Sequence, residues 1–212
     1  MKKYGLGCVG VVALLLLFTV MAGCAGYNRL VKLNQGVDGQ WANVQNQYQR
    51  RADLIPNLVQ TVSGAANFEQ STITDVVKAR ASVGQVQLNA NQSPNNAEQL
   101  ARFEQAQNEL GSALSRLLVV VERYPELKAT ANFRELQAQL EGTENRIAVE
   151  RMRFNEAVQN YNTAVKKLPT VLYAGALGFD PKPYFQSTEG SDTPPKVQFD
   201  FKGQRPAPAK EQ

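Results

Sequence analysis

The chain contains no histidine, which removes the commonest general base, the commonest metal ligand and every Ser/His or Cys/His nucleophile pair. No Gly-rich phosphate loop and no Gly-x-Ser-x-Gly elbow occurs. The Asp and Glu residues are spread singly over helical faces, and the inward-facing Glu-x-x-His of di-metal bundles needs the missing histidine. No catalytic, cofactor-binding or metal-ligating residue is assigned, so the protein is expected to be no enzyme, with no small-molecule substrate. One residue remains with covalent chemistry in prospect. Cys24 ends the run Met21-Ala22-Gly23-Cys24, which resembles the bacterial lipobox: small residues before a cysteine that is diacylated and becomes the mature N-terminus after cleavage. Met21 stands where Leu is usual there. The competing reading leaves Cys24 incidental in a retained transmembrane helix.

Three further polar features draw notice. Arg151 falls on an otherwise apolar helical seam, where an unpaired charge is costly, and Glu69 takes a seam position in another helix; the two are expected to pair and fix helix register. The run Arg50-Arg51-Ala-Asp53-Leu-Ile-Pro-Asn57 reads as a structural corner, with Asp53 near a helix start, in preference to a binding surface. Asn155 and Asn162, each beside an aromatic seam residue, read as surface or register residues rather than ligands.

Lys2 and Lys3 precede an uncharged stretch from Tyr4 to Asn28 whose densest apolar part runs from Val9 to Met21. That is a positive n-region with an h-region of signal-peptide length. At about 1.5 Å per residue the same stretch also spans a hydrocarbon core of about 30 Å. Residues 1–26 are therefore expected to be an anchor, either a transmembrane helix or a lipoprotein signal peptide. Two acyl chains hold a protein to a bilayer stably, as a single chain does not. The two lysines favour a cytoplasmic N-terminus, an asymmetry weakened by Arg29 and Lys32 on the other flank. If the lipobox operates, Ala25 after the cysteine points to outer-membrane delivery in a Gram-negative envelope.

Beyond the anchor the chain reads as all-α: an elongated antiparallel bundle of about four helices over residues 27–185. Leu30, Leu33, Val37, Trp41, Val44 and Tyr48 alternate three and four apart, predicting a helix over 27–50. Pro56 lacks an amide hydrogen, so a break is expected at Arg51–Asp53, with Pro56 in the first turn of a second helix running to Asn89. Ser93-Pro94 is expected to open a third helix, which stops at Tyr124-Pro125. The fourth opens on a capping-box pattern at Asn132–Glu135. Its seam at 133, 136, 140, 143, 147, 151, 154, 158, 161, 165 and 168 has nine apolar positions of eleven at coiled-coil spacing, which demands partner helices.

After Pro169 the composition turns aromatic and glycine-rich through Phe185, a segment expected to fold back on the bundle end. Residues 186–212, rich in Pro, Ser and Gly, read as a disordered tail. Within it Val197–Phe201 alternates like a short strand, read as a disordered stretch in preference to a motif that adds to another protein's sheet edge. The formal charge is +4, and Lys2 and Lys3 lie in the anchor, so the body is nearly neutral. Its charges alternate rather than cluster, and nucleic acid is not expected as a partner. Both cysteines, Cys8 and Cys24, fall in the N-terminal segment, so the body has no thiol for a disulfide or zinc site.

Over residues 27–185 the sequence resembles the LemA family of bacterial membrane-anchored proteins. The resemblance rests on Tyr27-Asn-Arg-Leu-Val31, Trp41-Ala-Asn-Val44, Gln49-Arg-Arg-Ala-Asp-Leu-Ile-Pro-Asn-Leu-Val59, Val77-Lys-Ala-Arg80 and Tyr124-Pro-Glu-Leu-Lys128. Further matches are Leu136-Gln-Ala-Gln-Leu-Glu-Gly-Thr-Glu144, Arg153-Phe-Asn155, Tyr161-Asn162, and Gly178-Phe179 before Tyr184-Phe185. It implies an N-terminal anchor followed by an antiparallel helical bundle. Where the family usually carries a plain transmembrane helix, this chain has the lipobox-like Cys24. Family orientation has also been predicted with a short outer N-terminus, opposite to the reading above. The expected function is that of a membrane-anchored, non-enzymatic scaffold or adaptor of the cell envelope, on the periplasmic or extracytoplasmic side, acting on unidentified envelope protein partners. The alternative is direct lipid binding or membrane remodelling by the aromatic segment 173–185.

Overall fold

The computed structural model describes residues 2–66, 68–86 and 92–186, with side chains at 17, 21 and from 23 onward. The tail expected at 186–212 and the strand-like Val197–Phe201 therefore lie outside the described residues, apart from Gln186. The described chain is all-helical: α1 (Lys2–Ser63), α2 (Gln70–Gln85), α3 (Ala97–Val121), α4 (Pro125–Ala129) and α5 (Ala131–Lys166), then 3₁₀ turns at Thr170–Leu172 and Gly175–Leu177. α1 packs along the length of α5, and α2 along α3. Among the described residues no helix is long and apolar enough to cross a membrane. The expected N-terminal membrane segment is thus unsupported there; of the run Val9–Met21, only the side chains of Leu17 and Met21 are described, both exposed.

The helix expected to end near residue 50 continues without a break. Val44, Tyr48, Arg51, Ile55, Leu58 and Val62 are all buried, three and four apart, so α1 runs straight through the corner expected at Arg51–Asp53. Pro56 sits inside the helix and cannot bond the carbonyl of Ala52 one turn back. Arg80 on α2 takes that vacated place: its Nε donates to the Ala52 carbonyl at 3.2 Å. α1 ends instead at Ser63, just past the last seam residue Val62, and α2 starts at Gln70. Arg80→Ala is expected to cost about 1 kcal/mol. The same substitution should cost nothing in a Pro56→Ala background, where the introduced alanine supplies the amide itself; urea unfolding of the four proteins of this cycle measures the coupling.

Helix starts also differ by a few residues from those expected. Pro94 is buried ahead of α3, and Asn96 caps that helix by accepting from the Glu98 amide at 2.8 Å. For α5 the cap is Thr130, whose extended backbone lets its hydroxyl accept from the Phe133 amide at 3.3 Å. Asn132 already lies inside the helix, so the capping box at Asn132–Glu135 does not form. The α5 seam is otherwise as read: Phe133, Leu140, Thr143, Ile147, Phe154, Val158, Tyr161 and Val165 are buried, while Leu168 lies beyond the helix end and is exposed.

Two apolar clusters result. The distal one joins α1, α2, α3 and α5 around Leu58, Val76, Leu117 and Phe133. The other surrounds Trp41, where α2 has ended and Phe185 from the returning C-terminal segment packs in with Phe103 and Phe154. Trp41 has its ring centroid 5.4 Å from Phe103, 5.6 Å from Phe154 and 6.0 Å from Phe185. The fourth side of the bundle is thus a helix at one end and an extended strap, residues 179–186, at the other.

Candidate functional site

The strap is held by side chains of α5 that read its backbone. Asn162 donates to the Lys182 carbonyl at 2.9 Å and accepts from the Lys182 amide at 2.8 Å. Asn155 does the same at Phe185, at 3.0 and 2.9 Å. The spacings agree physically: seven helical residues advance about 10.5 Å, and three extended residues about 10 Å. The Tyr161 hydroxyl donates to the Asp180 carbonyl at 3.0 Å, and Arg151 donates to the Gln186 carbonyl at 3.1 Å, with its guanidinium 4.6 Å above the Phe185 ring. In sequence, Asn155 and Asn162 read as surface or register residues, not as ligands. The signal for their role was two amides seven apart, each following a seam aromatic.

The strap's one buried charge is Lys182. Its Nζ donates to Ser93 Oγ at 2.6 Å and Asn95 Oδ1 at 3.1 Å, and lies 3.6 Å from Asp38 Oδ1. Asp38 in turn accepts from the Ser93 amide and hydroxyl at 2.9 and 2.7 Å. Burial pulls the lysine below its ordinary pKa, against the opposing pull of Asp38. This cluster ties α1, the segment before α3 and the strap together.

Arg151 does not pair with Glu69. It pairs with Glu104 on α3 at 2.6 Å, while Glu69, at the far end of the bundle, pairs with Arg123 at 2.9 Å. The reason is register: α5 runs antiparallel to α1, so Arg151 lies beside the Trp41 cluster and Glu69 beside the α3–α4 turn. Burial pushes the Glu104 carboxyl above its ordinary 4.5, against the pull of Arg151 and of the Gln186 amide. Above 4.5, and up to that raised value, the folded chain keeps a proton the unfolded chain has lost, so stability falls as pH climbs through this window. Glu104→Gln is expected to flatten that slope, read from denaturation midpoints on either side of the window.

Arg51, expected at a corner, is a buried crosspiece between the two apolar clusters. It donates to Glu144 Oε1 at 2.8 Å, to the Gln107 carbonyl at 3.2 Å and to the Gln107 side-chain oxygen, with its guanidinium 5.1 Å from the Tyr48 ring centre. The seam period marks position 51; a helix break placed there hides it.

At the N-terminal end of the bundle Cys24 is exposed on α1. Beside it, Ala25, Gly26 and Arg29 face Lys167, Leu168, Pro169 and Tyr173 across an open cleft of about 410 Å³. At the opposite end, Gln60, Gly64, Ala66, Arg123, Pro125 and Thr130 line a larger cleft of about 940 Å³. In the aromatic segment 173–185, Phe185 is buried, Tyr173 and Phe179 are half-buried with Phe179 packed edge-on against Tyr27 at 5.6 Å, and Tyr184 is exposed. Among the described residues no three His, Cys, Asp or Glu side chains are grouped to hold a metal ion.

Two relatives are magnetosome proteins MamQ 1 and MamQ 2 of Paramagnetospirillum magneticum, each 27% identical over 213 residues, covering 91% of this chain and 78% of the relative. Magnetosome protein MamQ of Magnetospirillum gryphiswaldense is 28% identical over 185 residues, covering 79% and 67%. The LemA family model matches residues 40–199, three quarters of the chain and all of the strap and its cradle on α5. The chain belongs to the LemA family.

Proposed function

We propose that this protein is a membrane-anchored, non-enzymatic scaffold of the bacterial envelope, whose bundle displays a docking end away from the bilayer. The observation that carries the reading is the continuity of α1, one helix of 62 residues from Lys2 to Ser63. Its first third holds the apolar run and the rest holds the bundle seam, so anchor and scaffold share one rod. From Gly26 to Ser63 that rod is about 56 Å long at 1.5 Å per residue, and the 940 Å³ cleft lies at its far end. Residues 1–26 then act as anchor, 27–185 as the scaffold and 186–212 as an appended tail. Two anchors fit this rod, a retained helix and lipid on Cys24, and the intact mass of the purified membrane form separates them. The scaffold reading is supported further by the absence of histidine from the sequence.

A photo-crosslinking residue at Gln60 or Arg123, on the rim of the distal cleft, is expected to yield adducts with envelope proteins in living cells. The same probe at exposed Gln159 on α5, near the anchor end, should yield fewer. Equal, unselective labelling at all three positions would count against a docking end. The rival reading, lipid binding through the aromatic face of residues 173–185, has little to stand on with Phe185 in the core.

A further inference from the structure

We propose that residues 166–177, together with the adjoining face of α1, form a foot that binds the surface of an anionic phospholipid bilayer; this rests on the anchored reading above. The chain leaves α5 at Lys166 and makes two 3₁₀ turns, Thr170–Leu172 and Gly175–Leu177. In this short stretch four large aliphatic side chains point outward: Leu168 is 71% exposed, Val171 48%, Leu172 78% and Leu177 50%. Single exposed leucines are ordinary, but four within ten residues on a structured turn make a patch.

The turn is fixed against α1. Ala174 is buried in the core, and the Tyr173 hydroxyl lies so close to Gly26 that a Cβ there would come within 2.1 Å of it. Gly178, at φ +78°, takes the left-handed conformation that sends the chain back as the strap. The aliphatic patch is therefore held at the level of Gly26, two residues past Cys24 and at the end of the apolar N-terminal run. For either anchor, that level is where the bundle meets the bilayer.

Charge completes the match. Exposed Arg29 and Lys167 line the cleft beside Leu168, exposed Lys32 and Lys166 follow close along the chain, and no Asp or Glu occurs in residues 1–37 or 157–179. The nearest acids in the chain, Asp38, Glu156 and Asp180, begin where that belt ends. From Gly26 to Asp38 the acid-free belt on α1 is about 18 Å deep at 1.5 Å per residue. Cations at an anionic surface each contribute roughly a five-fold gain in binding, and aliphatic side chains among them enter the headgroup boundary. A protein partner would meet the same patch, but its continuity with the anchor and its uniform positive sign favour lipid.

The test places the full-length chain in vesicles and reads quenching of Leu172→Trp by brominated phospholipid. Trp41 is buried about 22 Å along α1 from Gly26 and serves as an unquenched reference. Quenching is expected at Leu172→Trp in vesicles containing phosphatidylglycerol, and it should fall several-fold when Lys166→Gln and Lys167→Gln are added. Co-flotation of the chain with the vesicles, which a retained helix and lipid on Cys24 both produce, reports the anchor. Co-flotation without any quenching at Leu172→Trp overturns the foot while leaving the anchor standing. Equal quenching at Leu172→Trp in pure phosphatidylcholine overturns the anionic preference, and failure to co-float overturns the anchored reading itself.

Discussion

Replacing Asn155 and Asn162 together with alanine is expected to free the strap from α5, at a loss of about 4 kcal/mol. The figure follows from four hydrogen bonds between the two amides and the backbone of Lys182 and Phe185, each worth about 1 kcal/mol. The readout is internal to the protein. Trp41 is the sole tryptophan and is fully buried, with Phe185 stacked over it. Loss of the strap admits water to that ring, so its emission should shift to the red while α-helical circular dichroism changes little. Asn160→Ala, an exposed neighbour on α5, should leave both signals unchanged. Unshifted emission in the double variant would mean that Phe185 stays docked without the amides.

Arg51→Ala is expected to lower the stability of the whole bundle by about 3 kcal/mol, since it removes one member of a buried polar group and leaves the rest. The groups left behind differ. Glu144 is half-exposed and can turn to water, whereas Gln107 is buried, so most of the loss arises at Gln107. The double variant Arg51→Met/Gln107→Leu replaces the layer with apolar side chains of similar volume and should recover most of the stability. Guanidinium denaturation of the detergent-purified proteins tests this ordering. A double variant as unstable as Arg51→Ala would assign the loss to packing rather than to unmet hydrogen bonds.

The long periodic segments were legible because their burial is set by spacing: the seam from Phe133 to Val165 on α5 faces inward as the repeat requires. Proline at 56 misled, since a local rule about helix interiors was overridden by a distant donor, Arg80, that no local pattern announces. Register between helices was equally hidden. Arg151 and Glu69 are both charges on seams, but whether two seams bring them level depends on where the turns fall, and one turn lies more than ten residues from its expected place. The strap was seen only as a segment folding back, because hydrogen bonds to backbone from Asn155 and Asn162 place no demand on the residue types they hold. The N-terminal segment, by contrast, is read almost wholly from composition, as is the acid-free belt beside it.

Scaffold and foot alike depend on residues 1–26 holding this bundle to a bilayer. Alkaline carbonate extraction of membranes from cells making the full-length chain tests that most directly, since it strips peripheral proteins and leaves embedded or lipidated ones. The chain is expected to stay with the membrane pellet. Its quantitative release into the supernatant would contradict the anchor and, with it, the scaffold built on α1.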